Sequence, residues 1–157
     1  MRLYHGSTVD ISDIDLSLSK PNKDFGRAFY LSDDLQQAQE MANFRAAFEE
    51  TEPIVNIFEF DETLFQQFRY KRFEAYTEDW AHFVYDHRTE PQGRTLHDYD
   101  IVYGPIANDR IGAQITRYKQ GYITFDEFLR RIQFIKGITF QYAFCTQQAI
   151  DKLMKVL

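Results

Sequence analysis

Short apolar segments of two different periodicities, mixed in no regular order, constrain this chain most. Leu3-Tyr4-His5, Ala28–Leu31, Ile54–Phe60, Tyr99–Tyr103 and Ile138–Cys145 are dense in β-branched and aromatic residues and read as strands. Between them lie segments with apolar residues three and four apart, which read as amphipathic helices. A regular strand–helix–strand alternation would build a doubly wound parallel sheet. The irregular mixture predicts an α+β fold instead.

Local chemistry sets the expected boundaries. Gly6-Ser7 breaks the first strand, and Gly104-Pro105 stops the fourth. Ser32 or Asp33 caps a helix that carries Leu35, Ala38, Met41, Ala42 and Arg45 at three-to-four spacing, which makes it amphipathic. Glu78 to Arg88 is helical, with Trp80, Phe83, Val84 and His87 on one side. Thr124-x-x-Glu127 is a capping box, followed by Phe125, Phe128, Leu129 and Ile132 facing one way. Thr146 caps a closing helix that turns Ala149, Ile150, Leu153 and Leu157 inward.

With 157 residues, one domain over 1–157 is expected, large enough to bury a core. Ten tyrosines and 15 phenylalanines supply the burial that a disordered chain lacks. A net charge of -6 argues against a general phosphate-backbone binder. The single cysteine, Cys145, allows no internal disulfide or zinc cluster and fits a reducing compartment. Aspartates 10, 13 and 15 interrupt any leader-like apolar run, and no stretch reaches the ~20 apolar residues of a membrane span. The expectation is a soluble, cytoplasmic protein without a membrane partner.

Several familiar chemistries are absent from the sequence. It contains neither GxxxxGK[ST] nor GxGxxG, so neither a phosphate loop nor a Rossmann turn is expected. Asp24-Phe25-Gly26 spells a kinase triplet without the motifs that accompany it. His82 and His87 are five apart, which does not place both on one helix face for a metal, and no metal is expected. Cys145 in an apolar strand reads as a buried, inert thiol.

Three clusters at strand edges stand out: Tyr4-His5-Gly6-Ser7, Asp24 through Ser32, and Phe140-Gln141-Tyr142-Ala143-Phe144. Together they resemble the ADP-ribosyltransferase superfamily, in the branch shared by the poly(ADP-ribose) polymerases and diphtheria toxin. More closely, the chain resembles an uncharacterised bacterial family with HGS, DFGxxFY, GPxA[ND]D (here Gly104 to Asp109) and QxxF motifs in this order. The likeness runs from His5 to the last helix. It implies a split, mostly antiparallel sheet with surrounding helices, and nicotinamide adenine dinucleotide (NAD) as substrate.

The resemblance assigns roles residue by residue. His5 would donate a hydrogen bond to the adenosine ribose, and Gly6 would offer its backbone to the nicotinamide carboxamide. Ser7 would add a hydroxyl, Tyr30 would stack on the nicotinamide ring, and Arg27 would meet the pyrophosphate. Singly, a histidine near a terminus is most often surface and a tyrosine in an apolar run most often core. The joint pattern favours the site reading for His5 and Tyr30, and leaves Ser7 and Arg27 evenly balanced. Asp24 and Arg27 can equally form a loop-shaping ion pair, and Asn108 and Asp109 are turn residues first.

Two positions depart from that pattern. Gln141 stands where many relatives carry glutamate; its amide oxygen accepts a ribose hydroxyl but brings no charge and takes no proton. Met41 stands eleven positions after Tyr30, where polymerase-like relatives have a second tyrosine against the nicotinamide. Glu59 and Asp61 are candidates to supply the missing carboxylate, though a solvated strand edge is the commoner reading. The expected function is therefore mono-ADP-ribosyl transfer to a macromolecule. The alternatives are NAD hydrolysis, or a module that binds without catalysis. The acceptor stays open. The acidic charge leans toward protein, while Lys20, Lys23, Arg27 and Arg69-Tyr70-Lys71-Arg72 keep nucleic acid in view. The bacterial likeness further implies a toxin role and a small neutralising partner protein.

Overall fold

A computed structural model describes residues 1–133, 135 and 139–157. The fold is α+β, with two sheets, five α-helices and two short 3₁₀ helices among the described residues. One sheet has strands β1 (Arg2–Ser7), β3 (Ile54–Glu59) and β7 (Met154–Lys155) in the order β1-β3-β7, antiparallel throughout. The other comprises β2 (Phe29–Leu31), β6 (Thr139–Phe144), β5 (Ile101–Ile106) and β4 (Tyr70–Arg72), in the order β2-β6-β5-β4. Its β4–β5 pair is parallel and its other pairs antiparallel. The sheets touch at one rung, where Tyr4 and Ser32 exchange N–H···O bonds of 2.7 and 2.9 Å. This is a split, mostly antiparallel sheet.

The helices are α1 (Leu35–Glu49), α2 (Glu78–Thr89), α3 (Asp109–Lys119), α4 (Phe125–Ile132) and α5 (Gln147–Ile150). Because strand side chains alternate, the second sheet feeds two cores. Ala143 and Val102 join Phe25, Trp80, Ile111 and Phe128 beneath α2, α3 and α4, with Tyr30 packed against them. Phe29, Leu31, Ile101 and Phe144 join Leu3 and Phe58 on the other side.

Several sequence expectations need correction. β5 runs through Gly104-Pro105 instead of stopping there. Ile101 N–H and Tyr103 C=O both face the β4 side, so Pro105 turns its missing donor toward the region beyond Arg72, where β4 has ended. Proline is tolerated at such an edge. Asp34, not Ser32 or Asp33, caps α1, while Ser32 Oγ accepts the Asp34 N–H at 2.9 Å. The buried stripe of α1 is only Ala38, Ala42 and Ala46, because its close approach to β1 leaves no room for longer side chains. Leu35, Met41, Phe44 and Phe48 are exposed. The closing helix ends at Ile150, Leu157 is exposed, and the tail forms β7 against β3. The helix α3 and the strand β4 were not expected from the sequence. Ile138, the expected start of the last strand, lies outside the described residues.

Candidate functional site

The split between β1 and β2 is the natural place to look, because it leaves strand backbone unpaired. Phe60 N–H bonds to Met1 C=O, so the odd residues of β1 turn their main-chain groups toward β3. The even residues, Tyr4 and Gly6, turn theirs toward β2. Tyr4 is paired with Ser32. Continuing that register would set Gly6 against Tyr30, but this rung is not made. The Tyr30 carbonyl instead takes the Nδ1 of His5, at 2.7 Å. Among the described residues, the Gly6 N–H and C=O have no hydrogen-bond partner and face the split.

His5 itself is wedged at the fork, stacked on Phe29 with ring centroids 4.4 Å apart. A nitrogen facing a carbonyl must carry the proton, so Nδ1 is the donor and Nε2 holds a lone pair. Burial pulls the His5 pKa down to about 4. The bond to Tyr30 opposes this, and the positive charges of Arg45 and Lys155 reinforce it. The ring is therefore neutral at pH 7. Nε2 has no hydrogen-bond partner among the described residues. A ring held this way offers an acceptor and no donor at Nε2, where the sequence reading expects a donor.

Tyr30 and Gln141 come to the same face of the second sheet. Tyr30 pairs with Ala143, and Gln141 lies two residues along the same strand opposite Gly104, which makes the two side chains diagonal neighbours. The Tyr30 hydroxyl accepts from Phe25 N–H at 2.9 Å and donates to Gly26 C=O at 2.8 Å. Burial raises its pKa well above that of a free phenol. The phenol thus closes the loop before β2, and only its ring remains for a ligand. The half-buried Gln141 side chain makes no hydrogen bond among the described residues. His5 reaches the split from the opposite face, together with Phe29 and Leu3.

The remaining expected residues have local duties. Gly6 is required by packing: a Cβ there would lie 2.1 Å from Ala38 O and 2.8 Å from Ala42 N of α1. Ser7 Oγ accepts the Val9 N–H at 3.2 Å in a turn. The Arg27 guanidinium bonds the carbonyls of Ser17 and Ser19 and so fixes the preceding loop. Met41 is 44% exposed on the flank of α1. Glu59 pairs with Arg2 at 2.8 Å, and Asp61 accepts from Thr63, so neither carboxylate is turned to the split. Asn108 caps α3 by accepting the Ile111 N–H at 2.8 Å. In the basic cluster, Arg69 pairs with Asp98 and Arg72 with Glu74. Burial and the nearby Asp100 carboxylate push the Cys145 thiol up to about 12, which leaves it inert.

Asp24 pairs with Arg88 and not with Arg27. One carboxylate oxygen takes Arg88 Nε at 2.6 Å and the other takes the Ala107 N–H at 2.7 Å, while Arg88 Nη2 donates to Ala107 C=O at 2.5 Å. This clamp, with Asp24 buried and Arg88 partly exposed, joins the second and third sequence motifs. Arg88 lies 64 residues from Asp24, and no local spacing could have revealed it. Gly112 makes the room, since a Cβ there would meet the guanidinium at 2.2 Å. A hollow of about 190 Å³ opens between α2 and α3 beside Arg88, away from the split. Among the described residues, no group of three or more His, Cys, Asp or Glu side chains gathers as a metal site. No described helix is long and apolar enough to cross a membrane.

A family model described as "Protein of unknown function (DUF3990)" matches residues 1–155. No curated protein and no solved structure matches the chain.

Proposed function

The chain belongs to the DUF3990 family, and from that premise and the split we propose that it binds NAD between β1 and β2 and transfers a single ADP-ribose to a macromolecule. The observation that carries this reading is the pair of unpaired main-chain groups on Gly6. A primary carboxamide presents one acceptor and two donors in a plane, the complement of a strand residue's N–H and C=O. Gly6 offers both at a buried edge, where an unmet donor or acceptor costs roughly 1–3 kcal/mol.

The chain's other groups fit the same substrate. The Tyr30 ring is a flat face for a flat heterocycle. Nε2 of His5 accepts a ribose hydroxyl, and the Gln141 amide oxygen accepts the hydroxyl beside the bond that breaks. As that bond breaks, its electron pair leaves with nicotinamide, whose ring nitrogen becomes neutral, and positive charge builds on the ribose. Gln141 meets that charge only with a dipole. The acceptor's lone pair then forms the new bond, and the acceptor sheds its proton to solvent, because among the described residues the side chains gathered at the split include no carboxylate base. Such a site suits an acceptor that is already nucleophilic and disfavours chain extension.

A second reading, binding without transfer, is favoured by the neutral Gln141. Incubation with NAD labelled in its adenylate half separates the outcomes. Label on protein or nucleic acid supports transfer, free ADP-ribose supports hydrolysis, and bound intact dinucleotide supports the module. No binding at all removes every NAD reading.

A further inference from the structure

We propose that residues 90–99 form a strap latched by His87 and His97, and that uptake of protons by these two histidines releases it. The strap leaves α2, contains no regular secondary structure and runs over the Asp24-Phe25-Gly26 loop. His87, 2% exposed, donates from Nδ1 to Phe83 C=O at 2.8 Å and accepts the Leu96 N–H at Nε2, at 2.9 Å. His97 donates from Nε2 to Phe25 C=O at 2.9 Å and accepts the Tyr99 N–H at Nδ1, at 3.0 Å. Each ring is thereby fixed in one neutral tautomer. Their centroids are 5.3 Å apart.

An imidazolium has a proton on both nitrogens and accepts nothing. Charging His87 therefore sets its Nε2–H against the Leu96 N–H, and charging His97 does the same against Tyr99. The surroundings offer little compensation. Asp86 on α2 and Asp98 on the strap are the carboxylates that favour the charged rings, while each histidine opposes the charging of the other or stands uncharged beside it. Arg88 is taken up by Asp24 of the loop, and Arg94 by Glu90 at the start of the strap. Burial outweighs these carboxylates and lowers both pKa values below 6.5.

The sign follows from that direction. Above the ordinary value of about 6.5 both rings are neutral in either state, and the latch is at full strength. As pH falls below it, the open strap takes up protons that the closed one refuses. At pH 5 an ordinary histidine favours its charged form about 30-fold, so two acting together favour opening by up to ~10³. The opening has a local consequence, because Phe25 and Gly26, which the strap covers, are also the partners of the Tyr30 hydroxyl. The device does not depend on what occupies the split.

Amide hydrogen exchange tests it on the intact protein between pH 8 and pH 5, read as protection factors. Leu96 and Tyr99 amides should lose up to ~10³-fold in protection while Val102 and Ala143 in the sheet keep theirs. In the double variant His87→Gln/His97→Gln the protection of Leu96 and Tyr99 should be flat over that range. Equal losses at all four amides, unchanged protection at Leu96 and Tyr99, or an undiminished pH dependence in the variant would each overturn the proposal. If the variant does not fold, ring nitrogen shifts of the wild-type protein decide. Conversion of both rings to the doubly protonated form in step with amide opening supports the latch, and neutral rings beside open amides refute it.

Discussion

Nδ1 of His5 lies 2.7 Å from the Tyr30 carbonyl oxygen, where the next rung between β1 and β2 would otherwise form. A side chain has replaced a backbone donor, and this holds the two sheets apart beyond Tyr4 and Ser32. The same contact fixes the histidine's tautomer and leaves Gly6 unpaired. The split and its chemistry thus have one origin.

The His5 ring should titrate with a midpoint near 4, read from its ring-proton shifts. Because the folded value lies below the ordinary 6.5, this residue's linkage leaves stability intact above about pH 6.5 and erodes it as pH falls toward 4. A midpoint near 6.5 would mean that Nε2 is not held as a permanent acceptor.

Replacing His5 by Ala removes one hydrogen bond and one aromatic stack, a loss of about 2 kcal/mol, or roughly 4–8 °C in Tm. NAD affinity should fall by more than this change in stability explains. A calorimetric titration beside a thermal melt separates the two effects.

Gly6→Ala should destabilise by about 3 kcal/mol or more, because the added methyl meets the backbone of α1, which cannot rotate away. Gly121→Ala is the control. There φ is +82° with open space around the new methyl, and only backbone strain of about 1 kcal/mol is expected. Chemical denaturation of both variants checks the contrast.

Gln141→Glu should raise cleavage of the nicotinamide–ribose bond about fivefold, since a charged hydrogen bond exceeds a neutral one by roughly 1 kcal/mol. Release of nicotinamide from labelled NAD measures it. Loss of binding in this variant would show that Gln141 does not face the ribose.

Asp24→Ala should cost about 2–4 kcal/mol. It strands the Ala107 N–H and the Arg88 guanidinium, though the partial exposure of Arg88 softens the loss below that of a fully buried pair. Asp24→Asn keeps an acceptor for Ala107 and should cost distinctly less. Urea midpoints of the two variants give the comparison.

What could be read in advance was whatever depends on neighbours in the chain. The Thr124 cap of α4, the buried Trp80, Val84 and His87 face of α2, and the strand at Ile54 follow from spacings of a few residues. The inner face of α1 did not follow. Leu35 and Met41 satisfy a helical period, yet Gly6 draws the helix so near that only alanines fit. Nor could β7 be foreseen, since Met154 and Lys155 become a strand only because β3 offers an edge.

For the site, the sequence by itself determined that His5, Gly6, Tyr30 and Gln141 would sit on or beside strands, because residue type and short-range pattern set local conformation. Only the tertiary structure decided that His5 supplants a rung, that Tyr30 and Gln141 share a face while His5 comes from the other, and that Asp24 finds Arg88. Those outcomes depend on which edges and faces meet across long stretches of chain. Donors, acceptors and volumes then compete there for partners that no local spacing encodes.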